Sequence, residues 1–375
     1  MRLSMRRSIE DKIEVRYHSR LVGFLTDGPS DHFSFAYDET WLHDGFSISP
    51  FSLPLNKGTF VPKKDVFGGL FGVFADSLPD SWGTFVTNQY LISKGLDPQK
   101  ISVFTRLSLL GNDSLGGLEY GPKDHSVPFH DIKLDEAHAE CEKLVEERND
   151  LSLDEMMSLS GSSGGAHPKV HINIDDEDFI VKFPGPHEPL SVGKMEFDYN
   201  DTARALGIEV PPYELFPSKN GPGFFASKRF DRFLGKRIHV ISLAALYEVG
   251  LFEGLLDYGN LLSATLKLTR DEEEGWKAFR LMCFNIYAHN TDDHAKNFSF
   301  MYDEGKGHYV LAPAYDLTNP HLGKGHSLLV NHSYNPTDDD ILALAKVFDF
   351  GPLSKVLDIM ETTKKVVKER LGQYL

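Results

Sequence analysis

Apolar and polar positions alternate or cluster through residues 13–25 (IEVRYHSRLVGFL) and 33–37 (FSFAY), with Gly, Asp and Ser around them, which predicts strands joined by turns at the start of the chain. Between Val66 and Tyr90 aromatic and small residues mix, and helical spacing takes over after the break Leu78-Pro79-Asp80. Within 134–148 the apolar residues Leu134, Ala137, Cys141, Leu144 and Val145 recur at helical intervals with charges between them, an amphipathic helix. A Gly/Ser-rich loop at 160–166 (SGSSGGA) precedes a β-hairpin built from 169–174 (KVHINI), the acidic turn 175–178 and 179–183 (FIVKF). Residues 195–207 predict a helix stopped by Gly207, followed by strands at 213–216 and 224–230. Beyond Asp231 the periodicity is helical over 241–250, 273–290, 341–348 and 352–373, interrupted only by one hairpin near 298–312.

This order divides the 375 residues into a β-rich N-terminal subdomain over 1–130, a mixed α/β lobe over 131–233 and a mostly helical lobe over 234–375, an α+β chain without internal repeats. Hydrophobic residues at 41% and charged residues at 25% are globular values and exclude a disordered or fibrous chain. Lys+Arg 39 against Asp+Glu 55 leaves a net charge of −16, which repels phosphate backbones and acidic lipid. Direct nucleic-acid binding and membrane association are therefore not expected. Cys141 and Cys283 lack metal-site spacing and read as buried thiols. The basic start Met1–Ser8 runs into acidic residues without the apolar core of a signal peptide, and no stretch approaches a membrane span, so the expected location is cytoplasmic.

The densest polar cluster, His289-Asn290-Thr291-Asp292-Asp293-His294-Ala295-Lys296-Asn297, follows the apolar helical run FRLMCFNIYA. Asp292 and Asn297 stand as D-x-x-x-x-N, the spacing by which a kinase catalytic loop sets a base for the incoming hydroxyl and an amide oxygen on Mg2+. Taken alone, the same spacing fits a solvated helix end with Asp and Asn in turn roles. Downstream, the second strand of the hairpin runs into Pro313-Ala314-Tyr315-Asp316 and returns an acidic residue to the first, as a metal bridging nucleotide phosphates requires. Asp316 alone also fits a helix cap or Asx turn.

Lys182 lies in the apolar strand 179–183, where its ammonium must reach solvent or an anion, and a nucleotide phosphate is one such anion. Glu196, fourteen positions on by sequence number, matches the helix glutamate that pairs with a kinase strand lysine. An exposed strand face for Lys182 and a first-turn role for Glu196 are the bland alternatives. The run Gly161-Ser162-Ser163-Gly164-Gly165 fits neither the Walker nor the kinase glycine pattern, so its weight is positional. Gly-rich loop, strand Lys, helix Glu, catalytic Asp and Asn, then metal Asp is the order of a bilobal protein-kinase-like fold.

On these segments the sequence resembles the HipA family of bacterial toxin serine/threonine kinases, over nearly its whole length. The resemblance is carried by Gly161–Lys169, by Ile180-Val181-Lys182-Phe183-Pro184, by Arg229-Phe230-Asp231-Arg232, by Asn290–Asn297 and by Leu311–Leu317. It implies an ATP- and Mg2+-dependent kinase with Asp292 as general base, Asn297 and Asp316 as metal ligands, and Lys182 on the phosphates with Glu196 as its partner. By the same resemblance, Gly164 and Gly165 would belong to the phosphate loop, and Phe230 with the backbone around Lys228 would line the adenine site. Ser162, with Ser163 as an adjacent competitor, aligns with a serine that such toxins phosphorylate on themselves. Lys228 stands where the best-known members carry an acidic hinge residue, and His167-Pro168 replaces their Gln-Glu pair.

The implied partners are a HipB-type helix-turn-helix antitoxin, which contacts nucleic acid on behalf of the pair, and a protein substrate such as a tRNA synthetase. The acidic chain suits a basic antitoxin. Two other classes compete. A metal-dependent hydrolase would use His289, Asp292, Asp293 and His294 as a metal loop, leaving Lys182 and Glu196 without a role. A catalytically silent kinase-like scaffold would bind an antitoxin but no ATP. Arg229, Asp231 and Arg232 read as structural salt-bridge formers between lobes.

Overall fold

The computed structural model describes residues 12–27, 32–110, 115–121, 133–146, 153–161, 165, 167–250, 256–320 and 325–375. Strands β1 (Lys12–Tyr17), β2 (Arg20–Asp27) and β3 (Phe33–Tyr37) form an antiparallel meander, flanked by β4 (Thr59–Phe60) and β5 (Leu118–Gly121) in the order β4-β3-β2-β1-β5. Alternate residues of β1 and β3 are buried, as the period-two pattern requires. Helices α1 (Glu39–Asp44), α2 (Gly72–Ala75), α3 (Ser81–Ser93) and α4 (Val103–Leu110) complete this subdomain. Helix α3 starts directly after Pro79-Asp80, where the sequence breaks.

The middle of the chain contributes α5 (Leu134–Val145), α6 (Leu153–Ser160), the hairpin β6 (Lys169–Ile174) and β7 (Glu177–Lys182), α7 (Val192–Ala205), β8 (Tyr213–Phe216) and β9 (Phe224–Lys228). The four strands form one antiparallel sheet, β6-β7-β9-β8. Asp175 and Asp176 both adopt positive φ, the conformation a tight two-residue hairpin turn needs and Asp tolerates. Helix α7 begins at Val192, earlier than its apolar spacing predicts. A separate apolar cluster joins Val170 and Val181 of this sheet to Cys141 and Leu144 of α5 and to Trp82 and Val86 of α3. Helix α3 therefore packs into the core of the following lobe.

The last segment holds the hairpin β10 (Arg232–Phe233) and β11 (Lys236–Arg237), β12 (Val240–Ser242), α8 (Leu243–Tyr247), α9 (Tyr258–Thr269), α10 (Glu272–Tyr287), β13 (Ser299–Asp303), β14 (His308–Leu311), α11 (Asp338–Val347) and α12 (Leu353–Leu371). The expected helix over 241–250 is shorter. Its first residues pair with β13, Ile241 opposite Phe300, and the hairpin grows into a sheet of three strands, β12-β13-β14. Ser242 ends that strand and caps α8, its hydroxyl accepting from Ala245 N at 3.0 Å. Helix α9 carries no strong sequence signal, because Gly259, Asn260 and Ser263 weaken its propensity. A reciprocal capping box between Asp257 and Asn260, with Leu261, Leu262 and Ala264 in the core, forms it instead.

The N-terminal subdomain and the helical lobe share one hydrophobic core, whose members include Val73 and Phe74 together with Leu243, Leu246 and Phe300. Gly72 makes this approach possible: a Cβ there would lie 2.5 Å from Ala245 Cα. Both cysteines are free and buried. Among the described residues no helix is long and apolar enough to cross a membrane.

Candidate active site

The site begins with strand register. Phe179 and Val181 of β7 point into the apolar cluster, so Lys182, one position on, faces the opposite side and is 16% exposed. Its ammonium makes an ion pair with Glu196, buried on α7, and a second with Asp316 at 2.5 Å. Asp316 lies shortly past the end of β14 and holds φ at +53°, a left-handed conformation uncommon for a residue other than Gly. Burial acts to raise the Asp316 carboxyl, but the Lys182 and Lys169 ammoniums hold it well below the usual carboxylate range, so it is an anion. Burial lifts the Glu196 carboxyl, and Lys182 only partly offsets that. Against its own burial, Lys182 is held charged by the two carboxylates.

The polar loop is set by the end of α10. His289 adopts positive φ and stops the helix, while the Tyr199 hydroxyl of α7 donates to Ala288 O at 2.6 Å. Asp293 is fully buried and accepts from Tyr258 Oη at 2.6 Å, His326 Nδ1 at 2.9 Å and Ser327 N at 2.8 Å. This anchor leaves the adjacent Asp292 exposed, within electrostatic reach of Asp316. Desolvation, with the carboxylates of Asp316 and Asp293, raises the Asp292 carboxyl above its ordinary value, and His294 opposes them. Asn297 donates through Nδ2 to Asp292 O at 2.8 Å, which leaves its amide oxygen as an acceptor. The hydrolase expectation fails on this geometry. Asp293 is committed to the protein interior, and among the described residues no three His, Cys, Asp or Glu side chains gather around a metal position.

On the opposite side of the cleft, Gly165 has φ +74°, and a Cβ there would meet Lys169 Nζ at 2.7 Å. Lys169, 5% exposed, thus brings a second ammonium beside the loop. Gly164, Ser162 and Ser163 lie outside the described residues. Phe230 is half-buried and packs on Tyr315 with ring centroids 5.4 Å apart. The Lys228 side chain pairs with Glu177, so any role at the adenine position falls to its backbone. Arg229 binds Asp231 through both ends of its guanidinium fork at 2.8 and 2.7 Å, and Arg232 joins at 2.9 Å. Because Gly116 N also donates to Asp231 at 2.8 Å, this cluster ties the N-terminal subdomain to the segment leaving β9.

One residue of the site, Asp80, was given no functional role by the sequence. Asp80, preceding α3, pairs with Lys296 of the polar loop, a contact spanning 216 positions with no local signature. The donor set fits ATP with Mg2+: an anionic Asp316, a free Asn297 amide oxygen, two ammoniums, and a buried His294 Nδ1 with no protein partner.

A strand lysine held between a helix glutamate and a post-hairpin aspartate, facing a loop aspartate and asparagine, defines a protein-kinase-like phosphotransferase. Residues 161–371, more than half of the chain, match the HipA-like C-terminal domain, and residues 13–121 match the HipA N-terminal domain. The chain belongs to the HipA family of toxin kinases and is a kinase. It is 28% identical over 343 residues to the kinase candidate Y4mE of Sinorhizobium fredii, covering 81% of this chain and 76% of that protein. With the serine/threonine-protein kinase toxin HipA of Shewanella oneidensis it shares 23% identity over 334 residues, 77% of this chain and 71% of that one. A solved structure of the Shewanella oneidensis toxin–antitoxin system, with HipA, HipB and operator DNA, superposes with TM-score 0.62 at 18% identity, over 96% of this chain and 97% of that one. That likeness establishes the α+β bilobal fold.

Proposed function

We propose that this cleft binds ATP with Mg2+ and transfers the terminal phosphoryl group to a serine or threonine hydroxyl. The observation that carries the reading is the convergence of Glu196, Lys182 and Asp316, from three separate elements, opposite Asp292 and Asn297. Lys182, with Gly165 and Lys169 beside it, receives phosphate oxygens, and Phe230 with the Lys228 backbone receives the base. Asn297 and Asp316 would hold Mg2+, which when bound neutralises charge on the phosphate oxygens. Asp292 accepts the proton of the substrate hydroxyl, a task its raised carboxyl pKa suits.

Self-phosphorylation falls on Ser162, with Ser163 as competitor. The natural partner is a basic helix-turn-helix antitoxin of HipB type, for which the net charge of −16 and the likeness to a HipA–HipB–DNA assembly are the support. By analogy with the family alone, its protein substrate is a translation component such as a tRNA synthetase and its site of action the cytoplasm. Incubation of the full chain with γ-labelled ATP and Mg2+, followed by mapping of labelled residues, tests the reading. Label on Ser162 or on an added protein supports it, whereas absence of ATP binding overturns it.

A further inference from the structure

The start of α3 touches both halves of the cleft, and both contacts run through Asp80. Its carboxylate accepts from Gly165 N at 3.2 Å and pairs with Lys296. The main-chain N–H of Trp82 donates to Gly165 O at 3.0 Å, so α3 holds this glycine by both of its main-chain polar groups. The same helix bonds the flanks: Thr87 Oγ1 donates to Gly161 O at 3.2 Å, and Trp82 Nε1 to Lys169 O at 3.2 Å. A helix of the N-terminal subdomain is thereby bonded to the Gly-rich stretch at its beginning, near its end and at the strand that follows.

Asp80 occupies the position before the first turn of α3, where an Asp ordinarily accepts an N–H of its own helix, yet it makes no such bond. Its carboxylate is directed across the cleft instead. Asp80 and Lys296 are only 29% and 19% exposed, so solvent screens the pair weakly. Lys296 is fixed at its other end as well, because the Tyr315 hydroxyl donates to Lys296 O at 2.6 Å, and Tyr315 immediately precedes Asp316. One continuous set of contacts therefore runs from Gly165 through Asp80, Lys296 and Tyr315 to Asp316 and Lys182.

We propose that Asp80 is a positioning residue for phosphoryl transfer, through which the N-terminal subdomain holds Gly165 and Lys296 in one register and sets the affinity of the cleft for nucleotide. The proposal rests on reading the cleft as an ATP site. Removing the carboxylate frees the Gly165 amide, releases the Lys296 ammonium from its anchor, and leaves the nucleotide to order both on binding. The cost then falls on nucleotide affinity more than on the chemical step.

The test uses the full chain and three variants of one side chain. Amide hydrogen exchange at Gly165 is followed without nucleotide, and KM for ATP with Mg2+, kcat and thermal unfolding are measured in parallel. Asp80→Ala is expected to speed Gly165 exchange and raise KM, each by about tenfold, with a smaller change in kcat, as loss of a bond to a charged acceptor implies. Asp80→Asn, which keeps an acceptor oxygen without the charge, should restore exchange protection and leave KM intermediate, and Asp80→Glu should recover part of the affinity. Exchange and KM within twofold of wild type in Asp80→Ala would overturn the proposal, as would a fall in kcat with KM unmoved. Should Asp80→Ala fail to fold, a wild-type KM in Asp80→Asn overturns it. Faster Gly165 exchange in a chain whose wild type binds no ATP would uphold the clamp and remove the ATP reading with the affinity role.

Discussion

Lys182 and Asp316 are 134 positions apart in sequence, yet their side chains meet at 2.5 Å, with Glu196 completing the pair from α7. Two carboxylates in a largely buried place tolerate each other only because the ammonium lies between them. Lys182→Met should therefore do two things. It should abolish phosphate transfer, and it should destabilise the fold by about 3 kcal/mol, the scale for removing one partner from a buried ion pair. Urea unfolding checks the second effect. Combining Lys182→Met with Glu196→Gln should return part of the lost stability, and an additive loss in the double variant would argue against mutual neutralisation.

Asp231 collects Arg229, Arg232 and Gly116 N around one carboxylate. Burial works to raise its carboxyl, but the two guanidiniums dominate and hold it far below the usual range. A depressed carboxylate contributes stability that is present above the unfolded Asp value, about 4, and lost only as pH falls below it. Asp231→Ala should cost about 3 to 5 kcal/mol at neutral pH, because it leaves two buried guanidiniums facing each other. The deficit should shrink in acid. Chemical denaturation at neutral and acid pH measures both, and a loss under about 1 kcal/mol would show that the cluster is not what joins these segments.

Where side-chain pattern and backbone conformation agree, the sequence was readable. The alternation in β1 and β3, the acidic turn at Asp175-Asp176 and the break at Pro79 each carry a local physical cause, and each element forms there. Strand β12 and helix α9 were not readable, since Val240–Ser242 is held by pairing with β13 and Tyr258–Thr269 by its cap and burial. A fixed chain order links Lys182, Glu196, Asp292, Asn297 and Asp316 in the sequence, and the structure brings Lys182, Glu196 and Asp316 into contact. Asp80, which pairs with Lys296, and Asp76, which accepts from Ser242, had no such order to reveal them. Their partners lie more than a hundred residues away, so only the folded chain relates them.

Asp76 sits half-buried where α2 meets the helical lobe, accepting from Ser242 N at 2.7 Å and Ser242 Oγ at 2.8 Å. Desolvation outweighs Lys296 and these donors and lifts its carboxyl to about 6. A carboxyl raised in the folded state binds its proton more tightly there than in the unfolded chain. Its contribution is thus fully present below the unfolded value of about 4 and is lost as pH rises through about 6, on the order of 3 kcal/mol in all. Asp76→Asn should flatten that part of the stability profile. Melting temperature between pH 4 and 7 tests it, and parallel curves for wild type and variant would rule the group out.

Asp292 is the group on which the chemistry turns, and its surroundings make the outcome of replacing it specific. The neighbouring Asp293 is locked by Tyr258, His326 and Ser327, so Asp292→Asn changes one exposed side chain without disturbing the loop anchor. Fold and ATP affinity should persist, while transfer of labelled phosphate falls by at least about a hundredfold, the lower end of what a positioned general base supplies. Because desolvation and nearby carboxylates raise this carboxyl, the acid limb of the wild-type rate should lie above the pH expected of an ordinary Asp. Below that limb Asp292 is protonated and cannot take the hydroxyl proton, and above it the rate should level off. The residual activity of Asp292→Asn should lack the limb altogether. Label incorporation followed from acid to neutral pH decides the matter: an unchanged rate, or the same acid limb in the variant, would assign the proton transfer to another group.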